Sequence, residues 1–95
     1  MRGSWQESKV KIYIDHHTLE RAEERGTDEE EIRDVIETGF PIEAKYGRLG
    51  KAKVYEFGRK RHGKYYEQKR VEVIYIKEGE EIRTITVYVF YGKWR

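Results

Sequence analysis

Before Pro41 the chain carries mostly helix signals, after a short opening strand. After Pro41 it carries almost only strand signals. That segregation limits the fold more than any other feature. Helices gathered at one end and strands at the other give an α+β domain rather than an alternating α/β one.

The helical end is well punctuated. Val10 to Ile14 alternates and reads as the first strand. Asp15 can cap a helix running to Arg25, and Gly26 closes it. Thr27-Asp28-Glu29-Glu30 has capping-box spacing, with Thr27 as the cap and Glu30 reaching back. A second helix is therefore expected from about Asp28 to Glu37, with Ile32, Val35 and Ile36 as its apolar stripe. Gly39 and Pro41 end it.

Strands are expected at Lys53 to Arg59, Val71 to Lys77 and Ile82 to Tyr91, with a tight hairpin at Glu78-Gly79-Glu80. In the last strand, plain alternation puts Ile85, Val87 and Val89 toward the helices. Thr84, Thr86, Tyr88 and Phe90 then face the other way. Lys60 to Lys64 reads as a mobile loop. At 95 residues the chain is one domain, 1–95, with a leader-like segment at 1–8 and a core over 9–92.

Composition excludes some chemistry. There is no cysteine, so neither a disulfide framework nor a thiolate zinc site is available. No metal-ligand or phosphate-loop motif is present, and no metal or cofactor is expected. Charged residues make up 40% of the chain and asparagine is absent, a composition resembling that of heat-adapted proteins. No apolar run reaches membrane-spanning length and no signal peptide opens the chain, so a cytoplasmic location is expected.

Charge is sharply divided. From Asp15 to Glu43 there are 11 acidic and three basic residues, and from Lys45 to Arg70 ten basic and two acidic. Either the basic half meets a polyanion, or the two halves attract each other.

Three groupings could carry chemistry. His17, Arg21 and Arg25, four residues apart, form one stripe along the first helix, a phosphate-facing arrangement with a proton carrier at one end. Arg59, Lys60, Arg61, His62, Lys64, Lys69 and Arg70 interleave with Tyr55, Phe57, Tyr65 and Tyr66, as backbone tracking and base stacking require. Arg83, Thr84, Thr86 and Tyr88 put a cation and hydroxyls on one strand, a pattern suited to metal-independent RNA cleavage. The competing readings are ion pairing with neighbouring glutamates, a solvated hairpin and ordinary strand composition.

His17-Thr-Leu-Glu-Arg21-Ala-Glu-Glu-Arg25-Gly26, followed by an acidic helix, resembles the opening of the domains of unknown function numbered 4258. Val71-Glu-Val-Ile-Tyr75 and Arg83-Thr-Ile-Thr86-Val-Tyr88 resemble that family's closing strands. The resemblance covers roughly residues 12 to 92. That family is similar to small RNase toxins of the RelE and BrnT kind, within the barnase–EndoU–colicin–RelE grouping. The resemblance implies two helices on a curved, three- to four-stranded antiparallel sheet, a substrate cleft on its open face and an antitoxin partner. Arg59 to Arg70 stands against that pattern as a charged insertion.

The leading expectation is a toxin-like, metal-independent endoribonuclease with RNA as its partner. His17, Arg21, Arg83 and Tyr88 would be catalytic, and Arg25, Arg59, Lys60, Arg61, Tyr65 and Arg70 would bind nucleic acid. The alternatives are a non-catalytic nucleic-acid-binding domain and a protein-interaction module.

Overall fold

The computed structural model describes residues 10–94, so the leader-like segment at 1–8 lies outside the described residues. In chain order the elements are β1 (Lys11–Tyr13), α1 (His16–Arg25), α2 (Glu29–Thr38), β2 (Phe40–Ile42), β3 (Leu49–Arg61), β4 (Lys64–Glu78) and β5 (Glu81–Gly92). They form one open sheet in the order β1-β5-β4-β3-β2. β1 runs parallel to β5, and the other pairs are antiparallel. The sheet is thus five-stranded and mixed, not three- to four-stranded and antiparallel. The unexpected strand is β2. Its Pro41 is tolerated because an edge strand has one unpaired side, where a missing N–H costs no ladder bond.

Both helices begin on an aspartate. The Asp15 carboxylate accepts from Thr18 N–H at 2.7 Å. At α2 the cap is Asp28, which accepts from Glu31 N–H at 2.9 Å, and not Thr27. Thr27 instead donates its hydroxyl to the Glu31 carboxylate at 2.7 Å. An ionised carboxylate is the better partner for the positive end of a helix dipole. α1 stops at Gly26, whose φ of 96° is a left-handed conformation natural to glycine.

The helices pack on one face of the sheet. Ala22, Ile32, Val35 and Ile36 meet Val71, Val73, Tyr75, Ile82 and Val87 in one buried cluster. Plain alternation fails once, in β5. The register slips there, with Ile74 opposite Thr86 but Tyr75 opposite Thr84, so Ile85 is an extra residue. A bulge of this kind reverses the facing of everything before it. Thr84 is therefore buried on the helix side, where its hydroxyl donates to Thr18 Oγ1 at 3.0 Å, and Ile85 is left out of the core.

Lys60 to Lys64 is not a loose loop. β3 and β4 run to Arg61 and from Lys64, and His62 (φ 54°) and Gly63 (φ 82°) form a two-residue turn between them. Positive φ at both central positions matches the twist of a hairpin. The charged insertion is thus the end of a two-stranded ribbon. No described helix is long and apolar enough to cross a membrane.

The acidic and basic halves do attract each other. Lys53 Nζ lies 2.7 Å from Asp34, and Lys69 Nζ 2.8 Å from Glu31. The Lys53–Asp34 contact and the Asp15 cap, with three tyrosines, give the fold a pH range. Asp15 is held below its ordinary 3.8, chiefly by the Thr18 N–H, and Asp34 likewise, chiefly by Lys53 and then by the Tyr55 hydroxyl. Depressed folded-state values contribute stability above the ordinary carboxylate range that is lost as pH falls. Tyr55, Tyr75 and Tyr91 are pushed above their ordinary 10.0, each chiefly by burial. Raised values contribute stability below that range that is lost as pH rises. The thermal midpoint should be flat between about pH 5 and 9 and fall on both sides. A midpoint still rising below about pH 4 would contradict this assignment of the carboxylates.

Candidate functional site

The face away from the helices is read directly from the register. Its cross-strand rows are Tyr13–Arg83–Ile76, Thr86–Ile74–Gly50–Ile42, Tyr88–Glu72–Ala52–Phe40 and Phe90–Arg70–Val54. Because of the bulge, Arg83, Thr86, Tyr88 and Phe90 share one column along β5. Tyr88, Phe90 and Phe40 are 41%, 47% and 45% exposed, which is high for rings on a sheet. The Tyr88 and Phe90 rings lie side by side with centres 6.5 Å apart. Arg70 pairs with Glu72 at 2.8 Å and lies over the Phe40 ring, 5.3 Å from its centre. Ala52, flanked by Glu72 and Phe40 in its row, is fully buried.

Arg25 reaches this face from α1. β1 pairs with β5 only over Glu81 to Arg83. Beyond that point Arg25 Nη1 donates to the Val87 carbonyl at 2.7 Å. The same guanidinium sits 5.3 Å from the centre of the Tyr88 ring. A cation over a phenol ring gains from the ring quadrupole and helps to fix the ring.

The expected stripe on α1 is divided in its contacts. Arg25 engages β5, whereas Arg21 pairs with Glu24 at 3.4 Å on its own helix. His17 is exposed, and it and Arg83 both help to lower the Asp15 carboxyl. Of the four residues expected to be catalytic, Arg83 and Tyr88 share the open face, and neither His17 nor Arg21 makes a hydrogen bond, ion pair or ring contact with them.

The expected nucleic-acid-binding set is likewise divided. Arg59 covers the Phe57 ring at 4.4 Å. Arg61 donates to the Glu24 carbonyl at 3.0 Å, at the end of α1, and covers Tyr91 at 5.0 Å. Arg70 is paired as above, and Arg83, of the expected catalytic set, lies 5.5 Å from the centre of the Tyr13 ring. Lys60 and Tyr65 are exposed at the tip of the β3–β4 ribbon.

Sequence reasoning passed over the segment between β2 and β3. Lys45, Tyr46 and Arg48 join Ala44, Ile74, Thr86 and Tyr88 around a shallow cavity of about 210 Å³ on the open face. Tyr46 and Gly47 have φ of 62° and 73°, and Arg48 N–H donates to the Lys45 carbonyl at 3.2 Å. The available signal was a Tyr-Gly pair followed by strand residues, which marks a tight turn only weakly. Glu72 was passed over too, although a carboxylate amid β-branched residues is visible in the sequence.

The family model described as Domain of unknown function (DUF4258) matches residues 14–89, which include the α1 stripe, the Tyr46 turn and the column from Arg83 to Tyr88. No curated protein and no solved structure matches the chain.

Proposed function

The chain belongs to the DUF4258 family, and from the geometry of its open sheet face we propose that it is a metal-independent endoribonuclease acting on single-stranded RNA. One observation carries the reading: Tyr88 stands exposed on a sheet face that no described element covers, beside the Phe90 ring and under the Arg25 guanidinium. Unpaired bases stack on exposed rings, and guanidinium groups match phosphate oxygens. In this reading the 2′-hydroxyl gives up its proton to water and attacks the adjacent phosphorus, the P–O5′ bond breaks, the leaving 5′-oxygen takes a proton from water, and a 2′,3′-cyclic phosphate remains. Arg25 and Arg83 offset the charge that gathers on the phosphate, and the Tyr88 hydroxyl donates to it. A protein partner of the antitoxin kind would act by covering this face.

The test is digestion of an unstructured RNA in EDTA. The native chain should release fragments ending in cyclic phosphate. Tyr88→Phe, which keeps the ring and removes the donor, should cut the rate about a hundredfold with binding nearly unchanged. Equal rates for the two proteins would remove Tyr88 from the mechanism.

A second reading, RNA binding without cleavage, has its own support. Arg25 and Arg70 are already engaged, with the Val87 carbonyl and with Glu72. Intact RNA that is bound with a steep salt dependence would select this reading over the first.

A further inference from the structure

Several of the described cations are committed to the protein itself. Lys53, Lys69, Arg25, Arg61 and Arg70 each hold a carbonyl or carboxylate. Lys45 and Arg48 differ, as do Lys11, Lys60 and Lys77, but it is Lys45 and Arg48 that line the open-face cavity. Both are exposed, and among the described residues neither side chain has a partner. They flank Tyr46, whose ring is 88% exposed, the most of the exposed large hydrophobic residues. Tyr46 also holds a φ of 62°, a region where a bulky aromatic residue is strained and glycine is at ease. An unpacked ring on a strained backbone contributes little to folding. Its place at the rim of the cavity shared with Thr86 and Tyr88 gives it a different use.

We propose that this cavity takes one unpaired nucleotide of single-stranded RNA, with its base on the Tyr46 ring, its phosphate between Lys45 and Arg48, and its sugar toward the Thr86 and Tyr88 hydroxyls. The proposal rests on the RNA reading above and adds where the strand is gripped. Stacking on a ring tolerates any base, so the cavity selects for unpaired strands more than for sequence. The neighbouring Tyr88 then meets the phosphodiester next to the held nucleotide.

The experiment measures binding of a fluorescein-labelled, fully 2′-O-methylated octanucleotide by anisotropy over a salt series. Methylation blocks attack by the 2′-oxygen, so binding is read apart from cleavage. Tyr46→Gly relieves the backbone and removes the ring. It should melt no lower than the native chain and bind about ten- to a hundredfold more weakly. Tyr46→Phe should bind like the native chain. Lys45→Ala/Arg48→Ala should flatten the plot of log affinity against log salt by about 0.7, the contribution of the one phosphate they share. Lys11→Ala, an exposed cation on β1, should leave that slope unchanged. If the native chain binds and either Tyr46→Gly or the double variant matches it, the cavity assignment is overturned while the RNA reading stands. A Lys11→Ala effect as large as that of the double variant also overturns it. If the native chain does not bind, both readings fall.

Discussion

Gly39→Ala should destabilise the protein by about 3 kcal/mol, more than most single methyl additions do. Gly39 follows the last residue of α2 and donates its N–H to the Val35 carbonyl at 2.8 Å. A Cβ there would lie 2.5 Å from the Val35 oxygen and 2.6 Å from the Ala52 oxygen. Both are backbone atoms, so no side chain can turn aside. Its φ of −75° is ordinary, so the penalty comes from contact and not from the torsion. To make room, the end of α2 must lift from β3. For a domain of this size the thermal midpoint should fall by roughly 15 °C. A fall under about 3 °C would show that α2 and β3 do not approach each other this closely.

Lys69→Met should cost about 2 to 3 kcal/mol, for an electrostatic reason. The Lys69 side chain is only 9% exposed, and its ammonium serves both the Gly26 carbonyl and the Glu31 carboxylate at 2.8 Å. It ties the middle of β4 to the end of α1 and the start of α2. Methionine keeps most of the volume, so the loss isolates the charge. Glu31 keeps its bond from Thr27 and is partly open to water, which holds the cost below that of a wholly buried pair. Glu31→Gln in the same chain should restore part of the loss, because the stranded negative charge is gone. Chemical denaturation of the native, single and double variants measures this. A double variant no more stable than Lys69→Met would show that the pairing with Glu31 is not the cause.

The α+β class and both helices were legible because their ends are written in local chemistry: Asp15 and the Thr27-Asp28 pair at the starts, with the cap falling on Asp28 and not on the expected Thr27, and Gly26 and Gly39 at the stops. The final hairpin was legible from Gly79 for the same reason. β2 was not, since Pro41 also reads as a helix stop and only an edge position excuses it. The length of the β3–β4 ribbon was hidden by His62, which lies outside the usual Asn-Gly and Asp-Gly turn pairs. The face of Thr84 was hidden by the bulge at Ile85, because a bulge depends on the partner strand as well as on its own residues. Of the site, Tyr88, Arg83 and Arg25 were visible in the sequence. That Lys45 and Arg48 have no side-chain partner among the described residues while Arg61 and Arg70 are engaged was not visible. Commitment of a cation is decided by what packs beside it, and no spacing rule records that.

Pairing across the sheet also sorts the charge by layer. The helix layer, residues 16–38, holds nine acidic and three basic residues. Its outward glutamates Glu20, Glu23, Glu29, Glu30 and Glu37 are all exposed. The opposite side presents Lys45, Arg48, Arg70 and Arg83 around its few carboxylates. The protein therefore carries an excess of acid on its helix layer and a group of cations on the opposite sheet face, in spite of a net charge of only +2. A polyanion diffusing near it feels a torque before it feels a contact, which turns the helices away and the bare sheet inward. Orientation of this kind acts on the rate of encounter, not on the strength of the finished complex, and added salt erases it first.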